Sequence, residues 1–136
     1  MKKYICCVVA AMLFLVNACA LSSADRYDNF INDLDAVARL QTGLRQMEEG
    51  EMTPYVRADM ETLVQDLSTL QTDDTEILKI NGAFIDTAYL LQESMDAAAN
   101  AEQKAARSLY EKAEKCFAMG YESFFALLTG GGRVNG

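Results

Sequence analysis

The sequence has no histidine, no tryptophan and a single proline. Without histidine there is no Ser-His-Asp or Cys-His nucleophilic arrangement and no histidine-bearing zinc site. The same absence argues against a helical haem or metal bundle, so Met47, Met60, Met95 and Met119 read as core filler rather than axial ligands. Basic residues are scarce as well: 12 Lys and Arg stand against 20 Asp and Glu, a formal net charge of −8. Such a balance, with no basic patch to relieve it, repels nucleic acid and anionic lipid headgroups, and no nucleic-acid partner is expected.

Other chemistry is missing in detail rather than in composition. The acidic run Glu48, Glu49, Glu51 lacks the alternating oxygen ligands of an EF-hand loop and reads as a solvated helix end. Asp73-Asp74 reads as a helix cap. The glycines of "TGGGRVNG" follow a helical pattern and precede nothing, unlike a phosphate-binding loop. Cys116 falls on the apolar side of a helical pattern, where a structural thiol is the plain reading. No catalytic residue, metal or cofactor is assigned, and the chain is expected not to be an enzyme.

What is present begins with Met1-Lys2-Lys3 and an apolar run from Tyr4 to Val16. The run is shorter than the roughly 20 residues a bilayer-spanning helix needs, and has the flanks of a secretory signal peptide. "VNAC", Val16 to Cys19, resembles the bacterial lipobox, in which the cysteine thiol takes a diacylglycerol and becomes the new N-terminus. This gives a lipoprotein signal peptide over 1–18, a lipidated tether over 19–25 attached through Cys19, and export to a periplasm-facing membrane surface. Loss of Lys2 and Lys3 would make the mature chain two units more negative. Two alternatives stay open: ordinary cleavage within Ala18-Cys19-Ala20, and a Cys19–Cys116 bridge in an oxidising compartment.

From residue 26 to 128 the apolar spacing is helical throughout, with no strand pattern. About four helices are expected. The first runs over "RYDNFINDLDAVARLQTGLRQMEE", where Gly43 costs about 1 kcal/mol relative to Ala unless something packs on it. The second opens at Thr53-Pro54, the third covers about 75–99, and the fourth covers about 102–128, followed by a glycine-rich tail, 129–136. Short connections predict antiparallel neighbours. In the third helix Asn81-Gly82 would normally mark a turn, but Ile77, Phe84, Ala88, Leu91 and Met95 keep one helical side through it. Gly82 is therefore expected to be a contact point for a neighbouring helix. The apolar residues of the last helix, Tyr121, Phe124, Phe125 and Leu128, are expected to remain uncovered and to support a homo-oligomer.

Leu78, Gly82 and Ile85, followed by Ala106, Tyr110 and Ala113, have the small-residue and aromatic spacings of a tetratricopeptide (TPR) helical hairpin. Together with the lipobox, "NGAFIDTAYLLQ" and "AARSLYEKAEKCFAMGYESFFALL" resemble the T component of TRAP-transporter-associated proteins (TatT), of which this chain looks like a short or truncated member. The resemblance implies a periplasmic lipoprotein of TPR-like antiparallel hairpins. It also implies association with a periplasmic solute-binding protein of a TRAP transporter, in the uptake of organic-acid or hydrophobic ligands. Within such a hairpin Gly82, Ala106, Tyr110 and Ala113 would pack the helices, and Lys79, Ala83, Asp86 and Thr87 would face a partner groove. The competing expectation is a small structural envelope lipoprotein, a self-contained four-helix bundle without ligand.

Overall fold

A computed structural model describes residues 21–51 and 53–130; the signal peptide, Cys19 and tail residues 131–136 lie outside the described residues. The described chain is all-α: α1 Ser23–Asp33, α2 Ala36–Glu49, α3 Pro54–Leu67, α4 Thr75–Ala99 and α5 Gln103–Thr129, with no strand among the described residues. No described helix is long and apolar enough to cross a membrane. Helix α1 begins inside the segment 19–25 that was expected to be a tether. Ser22 already caps α1, its hydroxyl accepting a hydrogen bond from the Asp25 amide at 3.1 Å.

The long first helix of the sequence reading is in fact two helices. At Leu34–Asp35 the chain turns through a left-handed residue, Asp35 at φ 50°, with neither glycine nor proline to announce it. Arg39, one turn into α2, holds this break. Its guanidinium donates to the Leu34 carbonyl at 3.2 Å, to both carboxylate oxygens of Asp59 at 2.8–3.2 Å and to Asp66 at 3.4 Å on α3. An otherwise orphaned carbonyl at the helix end is thereby satisfied. Together α1 and α2 run from one end of the bundle to the other. α3 returns, α4 goes forward and α5 returns, giving packed antiparallel hairpins of which α4–α5 is the most extensive.

One core joins them, built on Tyr27, Ile31, Leu40, Met60, Leu63, Leu67, Ile77, Ile80, Phe84, Leu91 and Phe124. Helix α4 is continuous across Asn81-Gly82, and the reason is Asn81. Its side chain is buried, donates to the Leu67 carbonyl at 2.9 Å and accepts from the Tyr27 hydroxyl at 3.3 Å. It thus joins α1 and the end of α3 to α4, leaving no buried polar group unpaired at the junction. Gly82, by contrast, is not a contact point: a Cβ added there meets nothing within 4 Å. The close approaches fall elsewhere. A Cβ on Gly43 would lie 3.1 Å from Leu91 and Met60, and one on Gly120 would lie 3.0 Å from the Ala83 Cβ and 3.2 Å from the Phe84 ring.

Helix α4 ends in a Schellman motif. Glu102 N–H donates to the Ala97 carbonyl at 2.8 Å, and Ala101 N–H to Ala98 at 3.1 Å, with Ala101 at φ 61°. The buried Ser94 hydroxyl then closes the hairpin by donating to the Ala106 carbonyl at 2.7 Å. At the end of α2 the equivalent motif uses Gly50, φ 72°, where left-handed backbone carries no Cβ penalty.

Candidate functional site

The four residues assigned to a partner groove do not share one surface. Thr87 is fully buried, its hydroxyl donating to the Ala83 carbonyl at 2.8 Å. Ala83 is half-buried with its methyl at the close approach to Gly120. Ala83 thus belongs to the α4–α5 contact, while Lys79 and Asp86 are exposed, Asp86 near Cys116 on α5. Of Leu78, Gly82 and Ile85, Leu78 is turned out and 47% exposed, whereas Ile85 is partly buried and packs against the core. The packing set fares better on α5, where Ala106 and Ala113 are buried and Tyr110 is half-buried. Of the methionines read as filler, Met60 and Met95 are buried and Met47 packs against the core, but Met119 is exposed. Cys116 is half-buried rather than buried. Burial and the nearby Asp86 carboxylate push its thiol pKa up, away from nucleophilic thiolate character.

A concavity that the sequence reading does not contain lies between the end of α2 and the first half of α5. It is a groove of about 470 Å³ with Met47 and Glu48 on one wall and Ala106, Arg107, Tyr110, Glu111 and Glu114 on the other. The residues of the α5 wall recur at three- and four-residue spacings and so fall along one side of the helix. Tyr110 donates its hydroxyl to Glu114 at 3.0 Å, and Arg107 pairs with Glu111 at 3.3 Å. Burial, the Glu114 hydrogen bond and the charges of Glu114 and Glu48 push the Tyr110 phenol up to about 12. Those carboxylates set the local field, and the single guanidinium is occupied by Glu111. An aromatic ring under negative potential suits an alkyl-ammonium or guanidinium group, for which a cation–π contact is worth about 0.5–2 kcal/mol.

A second cleft of about 400 Å³ lies between the start of α3 and the end of α4, with Pro54, Met95 and Ala99 as its apolar part. Arg57 bridges it to Asp96 through contacts of 2.6 and 3.0 Å. The hydrogen bond from Arg57 holds the Asp96 carboxyl below its ordinary range, against the opposing effect of burial and with the help of the Arg57 charge. With the guanidinium committed to Asp96, this cleft has less to offer an anionic ligand than the presence of arginine alone implies.

Nothing in the groove was invisible in kind, only in partnership. Tyr110 was legible as a packing residue and Glu48 as a solvated end, but only the return of α5 past the end of α2 puts them together. Among the described residues no group of three or more Cys, Asp or Glu is placed to hold a metal ion. No family model, curated protein or solved structure matches the chain.

Proposed function

We propose that the chain is a non-enzymatic, membrane-anchored binding module that holds a protein partner in its α2–α5 groove. By the resemblance of its "NGAFIDTAYLLQ" and "AARSLYEKAEKCFAMGYESFFALL" segments, that partner is a periplasmic solute-binding protein of TRAP type. The observation that carries the reading is the groove itself: an open, acid-rimmed surface with Tyr110 half-exposed in it. Anchoring follows from the signal segment and Cys19. In this reading the partner presents lysine or arginine side chains to Glu48 and Glu114.

The rival reading, a self-contained structural bundle, is favoured by one specific feature. Tyr27 on α1 reaches both Asn81 and the Phe124 ring, so α1 closes over the α4–α5 hairpin that an open repeat array would leave available to the next repeat. Binding of the full chain to the purified solute-binding protein separates the two. The binding module predicts an affinity that falls with added salt and weakens about tenfold or more in a Glu48→Gln, Glu114→Gln double variant. An affinity unchanged by both, or no binding to begin with, favours the structural bundle.

A further inference from the structure

We propose that the bundle end at which α1 starts is a lipid-contacting surface that rests in the interface of a zwitterionic bilayer. This inference rests on the reading of Cys19 as the acylated residue.

Three helix ends meet there in one plane. Tyr27, Asn81 and Phe124 lie at one level, joined by the Tyr27–Asn81 hydrogen bond and an edge-on ring contact between Tyr27 and Phe124 at 5.5 Å. From that level α1 continues to its Ser22 cap, α4 back to Thr75 and α5 on to Thr129. At about 1.5 Å per residue these are extensions of about 7.5, 9 and 7.5 Å, so the three helices stop at the same end of the bundle, to within the reach of the side chains that set the level. The end of α3 is tied to the same level by the Asn81–Leu67 hydrogen bond.

The chain leading to Cys19 leaves from this plane. Only Ala20 and Leu21 separate Cys19 from the Ser22 cap, a reach of at most about 11 Å. An acyl chain on Cys19 must therefore hold this end, and no other, against the membrane. The surface it presents is apolar at its edge. Leu21 and Leu78 are each about half exposed, Phe125 is 60% and Leu128 40% exposed, and all four lie within about 6 Å of the plane along their helices. That depth matches the roughly 5–10 Å to which interfacial apolar side chains enter the headgroup boundary. Phe124, grouped with Phe125 in the sequence reading, is instead buried in the core and takes no part. The polar residues of this end, Asp25, Asp73, Asp74 and Glu76 against Arg26 and Lys79, leave it net acidic, which directs it to neutral headgroups rather than anionic ones.

The test uses the full chain, processed and acylated, on phosphatidylcholine vesicles containing a lipid-borne quencher. In a Cys116→Ser background an environment-sensitive dye is placed by Leu128→Cys, and in a second variant by Tyr55→Cys at the opposite end of the bundle. The proposal expects the dye at 128 to lose about half its emission to the lipid quencher while the dye at 55 is unaffected. Equal, weak quenching at both positions in protein that sediments with the vesicles overturns the proposal and leaves the anchor intact. A dye at 128 that is shielded from water yet untouched by the lipid quencher marks burial against a second copy, and also overturns it. Protein that stays in the supernatant overturns the anchor reading and this inference with it.

Discussion

Gly43 and Gly120 lie where a neighbouring helix comes within van der Waals reach, and Gly82 lies where none does. The difference predicts opposite signs for one substitution. Gly82→Ala gains up to about 1 kcal/mol, the ordinary helix-interior preference for alanine. Gly120→Ala gains the same preference but drives a methyl into Ala83, whose own Cβ cannot rotate away, at an overpacking cost of about 1–3 kcal/mol. Denaturant unfolding is expected to show Gly82→Ala stabilised and Gly120→Ala destabilised. At Gly43 the facing atoms are the mobile ends of Leu91 and Met60, which can move aside, so the loss there is smaller. Tyr27 supplies a second residue-scale prediction. Burial holds its phenol neutral, with a pKa well above the ordinary tyrosine value of about 10. Its contribution to stability is complete below that value and is lost as pH rises toward the folded-state pKa, because the unfolded chain ionises first. Tyr27→Phe gives up the Asn81 hydrogen bond, about 1 kcal/mol near neutral pH, and makes the decline above pH 10 shallower. It does not abolish that decline, since Tyr110, also raised, titrates with the same sign. Stability curves at pH 8 and pH 10.5 check both parts.

Elements end here by two devices, one cheap and one strained. Gly50 closes α2 in left-handed backbone without steric cost, whereas Ala101 closes α4 with the same hydrogen bonds and a Cβ in the disfavoured region. Ala101→Gly is therefore expected to raise stability by about 1 kcal/mol, read as a higher denaturation midpoint at unchanged slope. These ends also show where sequence patterning stops being informative. The start of α3 and both ends of α4 and α5 were legible to within a residue or so, because Pro54, the Asp74 cap and long apolar periodicities mark them, whereas α3 stops at Leu67, short of the Leu70 that continues its apolar spacing. Asp74 indeed accepts from the Glu76 and Ile77 amides at 3.0 and 3.2 Å. The α1–α2 break was not legible, since nothing local in "NDLDAV" requires it. What holds it is Arg39 reaching to Asp59 on α3, a contact set by tertiary packing. The groove residues were misplaced for a related reason. Helical periodicity separates inside from outside, but α4 is buried over much of its circumference, so Ala83 and Thr87, expected to face a partner groove, lie instead at the approach of Gly120 and in the interior.

At the scale of the whole molecule the three surfaces divide by chemistry. The end at which α1 starts carries the exposed apolar residues Leu21, Leu78, Phe125 and Leu128, others such as Tyr55 and Met119 lie away from it, and the groove toward the far end is rimmed by acids. Such an arrangement fits a module held to a membrane at one end while its opposite half stays available to a partner. The measurement that tests this most directly is site-specific photo-crosslinking in intact cells, with the reactive group at Tyr110 in the groove or at Lys79 on the outer side of α4. One dominant adduct is expected from position 110, containing a periplasmic solute-binding protein of TRAP type, and little or none from position 79. Adducts of equal strength from both positions, or no such partner from position 110, would contradict it.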